Sequence, residues 1–338
     1  MGLVRDRVLA SRFGASDILD VYYISFQIPD LIFNLLAIGA ISTAFIPLFI
    51  EYETKMGKED AWKLASNFLN LLLVILFAGV AVLFILTPWL MGIVAPGFDE
   101  GKSYMAILFT RVMLASPLVF AVSIVAGSVL QASNRFLAFA LAPLAYNLGI
   151  IVGAVFLEPM FGPLGLAEGV VLGALLHLAV QLPALFKAGF RWVKIFDYKE
   201  TGTRRILKLI LPRSFGLAAA QVNWMILNAL ATTLGIGTVS ALNFALNLQY
   251  VPIALVGISA AVALFPTMSR EAMSDGKAFS ARISRTLNNI LTLTVPMSFL
   301  FFYLREDVVR ILLGSGLFGP KAVGLTADML GFVIIGVS

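Results

Sequence analysis

Three stretches of this chain limit what it can become. Trp62 to Phe98 is broken by one charge, Lys63, while Phe136 to Leu157 and Leu217 to Ser269 carry none. A helix crossing a bilayer needs about 20 apolar residues, whereas an outer-membrane strand needs about 10 in strict alternation. The runs are helical in length and lack the alternation. The rest of the composition agrees: 60% of the 338 residues are hydrophobic and 13% charged, against about 25% charged in a soluble protein. The 27 Phe exclude a disordered chain, and the absence of Cys excludes a disulfide-stapled domain and thiolate metal sites. The expected class is an all-α polytopic membrane protein.

The hydropathy pattern predicts nine to ten spans. They lie near 18–50, 64–96, 103–132, 136–157, 164–187, 204–234, 238–269, 283–304 and 320–338, with residues 1–13 as the end of a further span. The charged start lacks a signal-peptide core, and truncation at both ends is expected. Alternate loops differ sharply in charge: fifteen Lys and Arg fall in the second, fourth, sixth and eighth, against five in the others. The positive-inside rule makes the basic loops cytoplasmic, and with them the N-terminus. The net charge of +5 therefore belongs to topology, and no basic soluble face exists to serve nucleic acid.

The chain repeats itself at a spacing near 220 residues. Phe13-Gly14, Pro29 and Ala44-Phe45-Ile46-Pro47 are echoed by Leu234-Gly235, Pro252 and Ala263-Leu264-Phe265-Pro266, followed by Gly57-Lys58 and Gly276-Lys277, then Asn70 and Asn289. An even number of spans separates the copies, so both point the same way, as in carriers built from parallel repeats with a site near the midplane. The expected architecture is two parallel pseudo-repeated six-helix bundles around a central cavity, the second incomplete. Residues 1–187 form the N-terminal lobe, its first span incomplete, and 204–338 the incomplete C-terminal lobe. Residues 188–203 form a cytoplasmic interfacial linker that dips Phe190, Trp192 and Phe196 into lipid.

Charges within apolar spans are costly, and those that persist face a cavity or a partner. Arg5, Asp6, Asp30 and Arg213 are the candidates for a substrate site. Arg5 and Asp6 are neighbours and point about 100° apart, so they are not expected to pair face to face. Pro29 removes a backbone donor beside Asp30 and kinks the second span; with Gly39 and Pro252 it is a candidate hinge. Asp20 reads as a boundary residue, Glu168 as interfacial, and Arg111 as snorkelling outward. His177 reads as a packing residue rather than a proton relay. There is no Walker motif, dinucleotide loop or Ser/His/Asp set, so neither enzymatic catalysis nor a cofactor is expected.

Arg5-Asp6, Arg12-Phe13-Gly14-Ala15, Asp20-Val21-Tyr22-Tyr23, Gln27-Ile28-Pro29-Asp30-Leu31 and Gly39 through Pro47 resemble the opening of the MurJ/MviN family. So do Ala95-Pro96-Gly97-Phe98, Asn134-Arg135-Phe136, Ala142-Pro143, Asn147, Gln181-Leu182-Pro183 and Phe265-Pro266. The resemblance implies a lipid II flippase of the multidrug/oligosaccharidyl-lipid/polysaccharide exporter superfamily, in a bacterial inner membrane. It implies alternating access driven by Na+, H+ or the membrane potential. It also implies that this chain lacks most of the first span and the last four. Lipid II and bilayer lipids are the implied partners, with cell-wall synthesis proteins as further ones.

The chain departs from the family where the latter carries cavity arginines: here stand Phe33-Asn34 and Asn247. Asn34 and Asn247 would bond the headgroup without charge, Arg5 would engage pyrophosphate, Asp6 would orient it, and Arg213 would compensate. Two alternatives stay open: export of another lipid-linked oligosaccharide or of drugs, and a non-transporting membrane scaffold for cell-wall enzymes.

Overall fold

The computed structural model describes residues 1–34, 41–261 and 276–337, with 264, 267, 268 and 271 between. Side chains of 41–43, 210–215, 217–218, 277–278 and 337 lie outside the described set, as does Gly39. The described chain is helical: α1 (Gly2–Phe13), α2 (Asp17–Ser25), α3 (Gln27–Phe33), α4 (Ile41–Met56), α5 (Lys58–Val94), α6 (Glu100–Met113), α7 (Ser116–Ala132), α8 (Phe136–Val152), α9 (Glu158–Phe161), α10 (Leu164–Lys187), α11 (Thr201–Thr232), α12 (Thr238–Pro252), α13 (Gly276–Tyr303), α14 (Arg305–Leu313) and α15 (Pro320–Ile334). It is an all-helical membrane protein.

Five described helices or helix pairs, 58–94, 100–132, 136–161, 164–187 and 238–261, are long and apolar enough to span a bilayer, and the pair 279–303 and 305–313, bent by 79°, makes a sixth. The remaining predicted spans differ for identifiable reasons. The second, 18–50, is interrupted at Phe26, between α2 and α3. The seventh is the 32-residue α11, whose first turns carry Arg204, Arg205 and Lys208.

The break between α2 and α3 follows from Pro29. With no N–H, Pro29 leaves the Ser25 carbonyl without its helical partner, and the Thr110 hydroxyl of α6 donates to that carbonyl over 3.3 Å. The Ser25 hydroxyl in turn donates to Val21 O at 2.7 Å and reaches Ala106 O at 3.3 Å. Neighbouring hydroxyls re-satisfy the freed backbone, as a lipid environment demands. At the matched proline, Pro252, α12 gives way to a π-helical turn, Ile253–Ile258. The matched glycines both have positive φ, +64° at Gly14 and +119° at Gly235.

The chain forms two compact units. The first is Met1–Val8 with Asp17–Ile236; the second is Leu9–Ser16 with Gly237–Ser338. The division into compact units falls after α11, which packs on α4 and α5. Within the first unit α10 packs on α8 and α7. Its tightest seam is glycine on glycine: a Cβ built on Gly153 would lie 2.5 Å from Gly169 Cα. Gly149 and Gly173 meet in the same way one turn on. Small residues at a four-residue spacing let backbones touch where lipid offers no hydrophobic drive. In the second unit α12 packs on α15, with Phe244 edge-on to Phe318 at 5.5 Å.

Residues 190–197 are not a free linker. They lie along α5 without regular secondary structure, held by its side chains. Asn70 Nδ2 donates to Val193 O and Ile195 O at 3.2 and 2.9 Å. Asn67 donates to Asp197 O and accepts from Asp197 N, both at 2.8 Å. Val193 N donates to Ser66 Oγ at 3.1 Å. Trp192 and Phe196 are exposed, with the Trp192 indole N–H donating to Asn70 Oδ1 at 3.0 Å. Phe190 is not: it is half-buried, edge-on to Trp62 at 5.4 Å, because the backbone turns at Gly189 and directs it back onto the protein.

Candidate functional site

The first unit gathers ionisable side chains around the α2–α3 break. Asp6 is 3% exposed, and its Oδ1 accepts from Arg5 Nη2 at 2.8 Å and from Nε at 3.0 Å. The expectation that these neighbours would not pair is thus corrected. Their Cβ atoms diverge, but the guanidinium is long enough to curl back over one oxygen. Arg5 retains N–H groups beyond the two spent on Asp6, and Asp6 fixes the plane in which they point.

Tyr22 and Tyr23 are buried beside this pair. Asp30 and Tyr146 also lie within electrostatic reach of Arg5. Among the described residues the cluster carries one cation against two carboxyl groups, so it is not a simple basic pocket. Tyr22 and Tyr23 stand inside the quoted opening motif, so they were legible. Tyr146, more than a hundred residues away, was not.

Asn34 is half-buried at the end of α3, one helical turn beyond Asp30. Its Nδ2 donates to Gln221 Oε1 of α11 over 2.8 Å. No sequence signal pairs residues 187 apart. The preceding Phe33 packs on Phe120 at 4.9 Å, and Phe120 meets both Tyr146 and His177 at 5.2 Å. The position is therefore an aromatic packing site here.

Asn247 is half-buried on α12, in the second unit. The side chain of Arg213 and all of Gly39 lie outside the described residues. Pro29 and Pro252 both stand at helix interruptions. Asp20 occupies the first turn of α2 and is 2% exposed. A helix N-terminus, with its inward-pointing dipole, is where a buried carboxylate is best tolerated. His177 is half-buried with Nδ1 2.6 Å from Ser123 Oγ, and Arg111 lies over the Phe84 ring at 4.8 Å.

A separate concavity of about 920 Å³ lies between α4, the start of α5 and the 195–205 segment. It is built around Tyr52, whose hydroxyl donates to Glu200 Oε1 at 2.6 Å. Glu200 also caps α11, accepting from Gly202 N and Thr203 N at 2.9 and 2.5 Å. Burial and the Glu200 bond push the Tyr52 phenol up to about 12. Burial alone would raise the Glu200 carboxyl, but the bonds from Tyr52, Thr203 and Gly202 outweigh it and hold the group below its ordinary range.

The family model described as lipid II flippase MurJ matches residues 9–337. The chain belongs to the MurJ lipid II flippase family. It is 30% identical to the lipid II flippase MurJ of Burkholderia cenocepacia, over 99% of this chain and 67% of that protein. A solved structure of lipid II flippase MurJ in an inward closed conformation superposes with a TM-score of 0.83 at 23% identity, covering 99% of this chain and 70% of that one. An inward-facing MATE family transporter of the MOP superfamily gives 0.79 at 18% identity, over 99% and 78%. The two structural likenesses establish the fold. The chain spans about two thirds of the length of the curated relatives it matches. Membership in the MurJ family makes it a bacterial membrane protein of a transporter class.

Proposed function

We propose that the protein flips lipid II, a polyprenyl-pyrophosphate-linked peptidoglycan precursor, from the cytoplasmic to the outer leaflet of the inner membrane. The observation that carries this reading is the Arg5–Asp6 pair. A guanidinium on α1, oriented by a buried carboxylate, keeps N–H groups for a pyrophosphate oxygen. Asp30 sits at a proline break, where a span can bend as the site changes its access. The N-terminus is cytoplasmic by the charge of the loops. Membrane potential, Na+ or H+ drives the cycle, and no covalent catalysis is involved. Asn247 adds a neutral donor from the second repeat, Gly39 and Pro252 serve as hinges with Pro29, and Arg213 supplies a further cation.

The test is complementation by the full-length protein after depletion of a resident flippase. Growth with the wild type and loss with Arg5→Ala at equal expression is the expected result. Failure of the well-expressed wild type, or full activity of Arg5→Ala, removes the reading.

A further inference from the structure

We infer that Gln221, joined to Asn34, is a specificity-determining residue that recognises the uncharged sugar portion of the headgroup rather than its pyrophosphate. The inference rests on the transport reading above.

The geometry is specific. Asn34 ends α3 and Gln221 lies midway along α11, and one bond of 2.8 Å joins them, with Asn34 as donor and the Gln221 carbonyl as acceptor. That bond fixes both amides. It consumes one N–H of Asn34 and the Oε1 of Gln221. Left over are the Asn34 Oδ1, its second N–H, and both N–H groups of the Gln221 amide. Among the described residues none of these takes a protein partner; Asn34 is half-buried and Gln221 is 8% exposed.

The two residues therefore present a preset array of two kinds: donors on Gln221 and an acceptor on Asn34, side by side. A pyrophosphate offers acceptors only, so the Asn34 oxygen would face it with repulsion. A sugar hydroxyl both donates and accepts, and an acylamino substituent offers an N–H and a carbonyl; either satisfies the array. The position strengthens the assignment. Asn34 stands one helical turn beyond Asp30, and Asp30 lies within electrostatic reach of Arg5, so we place the uncharged part of a headgroup held at Arg5 toward Gln221. Phe33 beside it carries no charge and is engaged with Phe120.

Buried polar groups that match a ligand reject the analogue lacking the match, because they are then left unpaired. The experiment compares two ligands on purified full-length protein in nanodiscs: an undecaprenyl pyrophosphate carrying a disaccharide, and bare undecaprenyl pyrophosphate. The wild type is expected to bind the sugar-bearing lipid at least tenfold tighter. Asn34→Ala and Gln221→Ala each abolish most of that preference and combine without additivity, as members of one unit do.

Equal weakening toward both ligands, or an unchanged preference, overturns the inference. A wild type with no preference overturns it without any variant, so a variant that fails to fold does not shelter it. A wild type that binds neither lipid removes the transport reading itself.

Discussion

Gly97 donates its backbone N–H to the Thr232 hydroxyl over 3.0 Å, and no room remains between them for a side chain. The other repeat makes the corresponding contact: Leu317 N donates to Ser11 O over 2.8 Å, beside Gly316 at φ +57°. In each case the loop after a helix, α5 or α14, seats on the C-terminal end of another, α11 or α1. The same seating explains why residues 9–16 cluster with the second unit and α11 with the first.

Replacing Gly97 by Ala puts a Cβ within 2.6 Å of Thr233 N. Something must shift, at a cost of about 1–3 kcal/mol. The apparent melting temperature of the purified protein is expected to fall, and Gly79→Ala, where nothing lies within 4 Å, to leave it near the wild-type value. Equal melting of the two variants contradicts the close approach.

The α8–α10 seam makes a stronger demand. A leucine at Gly169 has to enter the space now filled by Gly153 Cα, and the backbones cannot separate without losing the packing that joins the helices. Gly169→Leu is expected to abolish the monodisperse folded peak in size-exclusion chromatography. Gly79→Leu is the control that keeps it.

What the chain declares in one dimension and what it hides divide along physical lines. Span length and scarcity of charge are local properties, so α5, α8 and α10 were legible. The break at Pro29 was legible too, since a missing N–H acts within one turn. The Arg5–Asp6 bond was not, because helical periodicity places Cβ atoms and says nothing of how far a guanidinium folds back. Nor was Asn34–Gln221, where neither residue has a pattern of its own. The exposure of Trp192 and Phe196 could be read from alternation. That Asn67 and Asn70 hold the segment depends on a helix more than a hundred residues earlier.

Docking of residues 190–203 depends on pH through Tyr52 and Glu200. The carboxyl of Glu200 is held below its ordinary 4.5 in the folded protein, so its contribution is present above that pH and is lost as the pH falls below it. The Tyr52 phenol, raised from 10.0 to about 12, stabilises docking below pH 10 and loses its contribution as the pH rises through 12. Hydrogen exchange of the 190–203 backbone is expected to show a protected plateau between these limits. Tyr52→Phe should raise exchange there by roughly fivefold, for a bond worth about 1 kcal/mol. An unchanged exchange rate in Tyr52→Phe refutes the coupling.

The Arg5–Asp6 pair predicts a graded series. Arg5→Ala removes the fork and leaves Asp6 buried without its cation. Transport of the lipid-linked substrate in proteoliposomes should fall at least tenfold, with binding lost alongside it, given about 1.5–3 kcal/mol for a charged hydrogen bond. Arg5→Lys keeps the charge but not two parallel donors on one plane, so it restores only part of the loss. Asp6→Asn keeps an acceptor for the guanidinium while removing its counter-charge. Pyrophosphate binding then persists and becomes steeper in its dependence on salt, because the cluster gains net positive charge. Measuring binding of undecaprenyl pyrophosphate from low to high ionic strength separates the cases, and an Asp6→Asn variant that loses binding as fully as Arg5→Ala contradicts an orienting role for the carboxylate.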